Sequence, residues 1–151
     1  MSADVPAFLR IEHEAFRATL KRAMREPGAL SAAAAELASL ADAHFVREEE
    51  FVLPLLVLLP ALVRGEALVS ANAAARMVQA LRDEIDALTD EHHQIGHALR
   101  ELAQAAGAEK PDYVAFAEDM ILHMRREEQV LYPAAIVAGE YLRTLWASAP
   151  A

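Results

Sequence analysis

Two stretches of the chain place a histidine and a glutamate one helical turn apart: AHFVREEEFVLP at 43–54, with His44 and Glu48, and LHMRREEQVLYP at 122–133, with His123 and Glu127. Residues i and i+4 of a helix share a face about 5–6 Å apart, so each pair can bring one nitrogen and one oxygen to a common point. Adding His13 and His92, each in a Glu-His dipeptide, gives four imidazoles and two carboxylates. Two carboxylates in a dry helical core would be prohibitively costly without cations, so the set points to metal binding. Two divalent ions offset the charge. Glu48 and Glu127 can bridge them, since each carboxylate has two oxygens, while each ion keeps two histidines. For six-coordinate iron that leaves positions for a solvent-derived bridge and a small exogenous ligand such as dioxygen. Mixed imidazole and carboxylate ligation suits iron, manganese or zinc and does not by itself choose among them.

The pattern is written twice. A shift of 79 residues takes Glu12 to Glu91, His13 to His92, Leu20 to Leu99, Gly28 to Gly107, His44 to His123, Glu48 to Glu127, Glu49 to Glu128 and Pro54 to Pro133. Core, loop and polar positions all match at one offset without a gap. This is the signature of a duplicated helical hairpin, with repeats at about 9–60 and 88–139 inside a single domain of 151 residues.

The elements that must carry these residues read as helices. Only five glycines occur, and no alternating run of β-branched residues reads as a strand. Leu9, His13, Phe16, Leu20 and Ala23 make one face of a first helix ending near the EPG at 26–28. A second helix is expected from about Ser31, as N-cap, to about Leu53, with Leu37, Leu40, His44, Glu48 and Phe51 on one side. The third is long, roughly Leu68 to Ala106, with a seam of Leu81, Ile85, Leu88, His92, Ile95, Leu99 and Leu102. A fourth starts around Pro111 and turns Phe116, Met120, His123, Glu127 and Val130 inward. A short fifth segment, about Ala138 to Trp146, follows Pro133. The fold class is therefore all-α, an antiparallel up-down four-helix bundle with a short extra C-terminal helix.

The set EH at 12–13, HFVREEEFVLP at 44–54, EH at 91–92 and HMRREEQVLYP at 123–133 resembles the hemerythrin-like proteins, the HHE cation-binding domain family. The resemblance covers about residues 9–135. It implies a non-heme diiron centre, two iron ions with an oxo or hydroxo bridge, for which zinc or manganese could substitute. The implied ligands are His13, His44, Glu48, His92, His123 and Glu127. Members of the family bind dioxygen reversibly, sense oxygen or iron, or handle nitric oxide or peroxide. The oxygen carriers have a further histidine where this chain has Leu88, and an aspartate five residues after the last histidine, where Glu128 stands here. These departures point to the bacterial and regulatory branches. Two function classes remain open: a protein that binds dioxygen or another small oxidant in sensing or handling, and an oxidoreductase that consumes peroxide or nitric oxide.

Other residues carry weaker signals. His93 and His97 lie off the core seam and read as surface histidines, with a fifth-ligand or supporting role for His93 the alternative. Glu49 and Glu128 read as acids outside the ligand set. Tyr132 can donate a hydrogen bond near the site or simply fill the core, and Pro54 and Pro133 either kink or end their helices. No Glu has a His three residues later, which disfavours a ferritin-like site, and HEAFR at 13–17 lacks the second histidine of a zinc protease. The chain has no cysteine, which excludes disulfides and thiolate chemistry and fits the cytoplasm. A net charge of -9 with scattered basic residues argues against a nucleic-acid partner. The opening MSADVPAFLR is not read as a secretory signal, and the apolar run at 51–63, broken by Pro54 and Pro60, is too short to span a membrane. Together with Tyr141, Leu142, Leu145 and Trp146, that run favours a homodimer, the alternative being a cap over the bundle.

Overall fold

The structure, a computed structural model, describes residues 7–148; residues 1–6, on which much of the leader reading rests, lie outside it. The helices are α1 (Ala7–Ala23), α2 (Ala29–Phe51), the short α3 (Leu53–Leu56) and α4 (Leu59–Val63), α5 (Ala71–Ala106), α6 (Pro111–Arg126) and α7 (Tyr132–Ala147). A 3-10 turn, Gly107–Glu109, precedes α6, and a π turn, Glu127–Leu131, joins α6 to α7. The described residues contain no strand. Helix α2 packs along α5, α1 against α2 and α6, and α5 against α6 and α7, an all-α bundle. The tight α1–α2 and α5–α6 connections make each pair an antiparallel hairpin. Both turn through glycines with left-handed backbone, Gly28 at φ 75° and Gly107 at φ 57°, which stand at equivalent places in the repeat.

Local chemistry explains most boundaries. The Ser70 hydroxyl caps α5 by accepting from the Ala73 amide at 3.0 Å. Ser31 does not cap α2 as expected. The helix begins at Ala29 after Gly28, and the Ser31 hydroxyl donates to the Gly28 carbonyl at 3.3 Å. Helices α6 and α7 meet through the π turn without a break in the helical path, so the last helix starts at Tyr132 rather than near Ala138. Pro133 has no amide to donate and sits in the first turn of α7, where the loss is absorbed by the π turn. That wider turn also corrects the inward phase. The Tyr132 amide donates to the Glu127 carbonyl five residues back, so Val130 rotates out to 58% exposure and Tyr132 is buried in its place.

Two apolar clusters fill the bundle. One gathers Leu20, Leu37, Phe45, Leu99, Leu102 and Met120 towards the hairpin turns. The other gathers Val52, Leu55, Leu58, Leu81, Leu88 and Leu142 at the opposite end, where α3 and α4 cover α5 and α7. The apolar run at 51–63 is thus largely used within the chain, as a cap. Trp146 is anchored beside it, its indole donating to the Val69 carbonyl at 2.8 Å. Helix α7 approaches both α5 and this cap so closely at Gly139 that a Cβ there would overlap Val78 Cγ2 and lie 2.9 Å from Leu55 Cδ2.

Gly139→Ala tests that packing. Overpacking of about 1–3 kcal/mol outweighs the roughly 1 kcal/mol that alanine gains in a helix interior. The urea midpoint should fall; an unchanged or raised midpoint would show that the cap gives way freely.

Candidate metal centre

Between the two apolar clusters lies a polar layer. His13 from α1, His44 and Glu48 from α2, His92 from α5, His123 from α6 and Glu127 at the start of the π turn are all buried, at 0–5% exposure. The structure brings all six candidate residues together. Glu48 directs Oε1 at His44 Nε2, 3.1 Å away, and Oε2 at His13 Nε2, 3.2 Å away. Glu127 directs Oε2 at His92 Nε2, 3.0 Å away, and Oε1 at His123 Nε2. Each carboxylate therefore divides its oxygens between two histidine pairs, His44 with His92 and His13 with His123. The Nε2 atoms of His44 and His92 are 2.9 Å apart. The donor atoms of His44, Glu48, His92 and Glu127 lie within 4.8 Å of one another, as do those of His13, His123 and Glu127.

Each imidazole is held from behind. The Nδ1 atoms of His44, His92 and His123 lie 2.6, 2.7 and 2.6 Å from carboxylate oxygens of Glu91, Glu128 and Glu12, and His13 Nδ1 lies 3.3 Å from Glu49. All four carboxylates reach across to another helix. With the proton on Nδ1, each histidine presents a bare Nε2 to the centre, the form a metal ligand needs. The roles of Glu12 and Glu91 were missed in the sequence, although the repeated Glu-His dipeptide was the signal. A residue next to a core position is turned about 100° along the helix, enough to face a neighbouring helix. Arg47 pairs with both Glu91 and Glu84, extending the chain from His44 to the surface.

The layer fits divalent metal on its own chemistry. His13 Nε2, His123 Nε2, Glu48 Oε2 and both Glu127 oxygens are buried without a hydrogen-bond partner of good geometry, although they converge. Such atoms are costly unless something binds them. The electrostatics agree. Burial opposes charge on His13, but the facing carboxylates of Glu127 and Glu48 overcome it and raise its pKa from 6.5 to about 9. His92 is raised to about 10, again against burial, by Glu127 and Glu48. Burial works against ionisation of Glu48, yet the surrounding imidazoles of His13, His44 and His92 hold its carboxyl pKa well below the usual range. Without metal, the cluster draws in protons as substitute cations.

Tyr132 completes the layer on one side. Its buried hydroxyl donates to Glu48 Oε1 and lies 3.2 Å from His92 Nε2. Burial, then the nearby Glu48 and Glu127 charges, push its pKa upward, so it remains a proton donor. His93 and His97 stay outside: both are exposed, and His97 Nε2 lies 3.2 Å from Glu101. Glu128 is also outside, behind His92, while Glu127 occupies the interior.

The family model described as Hemerythrin HHE cation binding domain matches residues 4–135 of the chain. No curated protein and no solved structure matches it.

The raised histidines set a pH dependence for the chelator-stripped protein. His13 and His92 bind protons more tightly in the folded than in the unfolded state, where the pKa is 6.5. Their stabilisation is complete below pH 6.5 and is lost as pH rises through about 9 to 10. Urea midpoints should therefore fall across that window for the metal-free protein and much less for the metal-loaded one. Equal slopes for both forms would contradict this electrostatic account.

Proposed function

The chain belongs to the hemerythrin HHE cation-binding domain family, and from that premise we propose that it holds two iron ions and uses them to bind dioxygen or another small oxidant, in sensing or handling oxygen, iron or redox state. The observation that carries the reading is the division of the Glu48 and Glu127 oxygens between two histidine pairs. In this reading His44 and His92 would hold one ion and His13 and His123 the other, with Glu48 and Glu127 offering an oxygen to each. Bound iron would supply redox chemistry and open coordination positions for a small ligand. The protein fixes the imidazoles through their outer carboxylates and excludes bulk water with the apolar clusters above and below.

A second reading is favoured by Tyr132. Reduction of peroxide or nitric oxide consumes protons, and a buried hydroxyl 3.2 Å from His92 Nε2 is suited to hold one at the centre. In that case the protein is an oxidoreductase, and Tyr132→Phe should slow turnover far more than it weakens metal binding. No helix among the described residues is long and apolar enough to cross a membrane. With a cysteine-free chain, we place the protein in the cytoplasm. A homodimer would have to use exposed residues such as Leu68 and Trp146, at 59% and 46% exposure, rather than buried Leu58.

Iron-reconstituted protein should carry about two ions per chain by elemental analysis. Glu48→Ala or Glu127→Ala should abolish the dinuclear centre, whereas His97→Ala should leave it intact; no more than one tightly held ion in the parent would sink the reading. Stopped-flow mixing of the anaerobic reduced protein with oxygen and then peroxide separates the two functions. A stable, reversible adduct supports binding, and rapid multiple turnover supports the enzyme.

A further inference from the structure

A strict repeat would create two equivalent metal positions, and the departures from it fall unevenly around the centre. On the His44/His92 side both outer carboxylates are close, Glu91 at 2.6 Å and Glu128 at 2.7 Å. On the His13/His123 side one is close, Glu12 at 2.6 Å, and the other, Glu49, is at 3.3 Å. Glu91 is further clamped by Arg47, which also pairs with Glu84. In the repeat Arg47 corresponds to Arg126, which is exposed, and Glu84 corresponds to apolar Val5. Among the described residues Glu12 has no arginine partner, and its side chain is 40% exposed.

The surroundings differ as well. Tyr132 supplies a hydroxyl to the His44/His92 side, where the matching residue of the other half is Leu53. The His13/His123 side is walled by aromatic rings: Phe45 stacks on His13 with centroids 3.9 Å apart, and Phe16 meets His123 edge-on at 5.0 Å. Their counterparts are Met124 and Ile95. Four donor residues converge tightly on the first side and three on the second.

We propose that the two metal positions are thermodynamically unequal: the His44/His92 position fills first and retains its divalent cation, the His13/His123 position exchanges, and Arg47 is the positioning residue that sets the difference. The proposal rests on the two-metal reading above. Arg47 never touches the metal. It fixes the Glu91 carboxylate, which fixes the rotation and tautomer of His44, so the entropy lost on ligation is smaller there. Loss of such an outer partner typically lowers metal affinity about 10–100-fold. A centre of this kind can be isolated with one ion, or with two different ions, one in each position.

The test is a zinc titration of the chelator-stripped full chain, followed by calorimetry and by NMR of the histidine ring protons. Two resolved equivalents are expected, with affinities at least about tenfold apart, the first moving the His44 and His92 signals and the second those of His13 and His123. Arg47→Ala should weaken the first step about tenfold and leave the second unchanged, with partial rescue by Arg47→Lys. Glu91→Gln, which preserves shape, should act in the same direction, and Arg126→Ala should change neither step. Two equivalents binding in one unresolved step, a first equivalent at His13 and His123, or equal weakening of both steps by Arg47→Ala would overturn the inequality while leaving the two-metal reading in place. A total below two equivalents would overturn both.

Discussion

Everything in this bundle is arranged around the charge of two buried carboxylates. Glu48 and Glu127 sit at 0% and 1% exposure in the middle of a helical core, where an uncompensated anion costs several kcal/mol. The four helices converge imidazoles on them, and the imidazoles are backed by further acids nearer the surface. The result is a graded layer, with acid at the rim, neutral or cationic rings inside it, and acid again at the centre. Negative charge exceeds what the histidines can neutralise. This is why protons, in the absence of metal, are held to pH values far above the normal histidine range. A divalent cation meets the same demand more completely, because it also engages the oxygens and nitrogens that lack hydrogen-bond partners.

That layer constrains the packing on both sides of it. Apolar clusters close it off towards the hairpin turns and towards the cap that α3 and α4 form over α5 and α7. The cap differs between the two halves of the repeat. After Glu48 the chain keeps its α-helical spacing into Val52, whose amide donates to the Glu48 carbonyl at 2.8 Å. After Glu127 the spacing widens to a π turn, and Tyr132, which stands where the other half has buried Leu53, is buried beside Glu48 and His92. A tyrosine in place of leucine at this position thus brings a hydroxyl to the centre that the other half cannot supply. Turns of this kind recur at functional sites because they re-aim a side chain without breaking the helix.

Much of this was legible in the sequence. The histidine and glutamate spacings, the helical seams and the single offset of the repeat are periodic signals, and they identified the six residues of the layer and the all-α architecture. What escaped was aperiodic or cross-helical. The π turn has no recognisable letter pattern, so periodicity alone turns Val130 inward and starts the last helix too late. Glu12 and Glu91 act on histidines of other helices, and their partners become evident only once helix neighbours are known. Ser31 is a good N-cap by type, but Gly28 supplies the left-handed turn three residues earlier and begins the helix there.

Duplication and divergence therefore have separate consequences in this chain. The duplicated part, a histidine pair, a central glutamate and two outer acids in each half, fixes the number and kind of groups at the centre. It would impose equal environments on both sides if it were complete. The diverged part, Arg47 against Arg126, Tyr132 against Leu53 and Phe45 against Met124, meets the two sides unequally and leaves the six central residues unchanged. Affinity, polarity and proton supply can thus differ across the centre without disturbing the charge balance that holds the bundle together. The inner residues are locked by mutual compensation, since removing any one leaves a buried partner unpaired. The outer ones are free to vary, and it is there that a two-fold scaffold can acquire a direction.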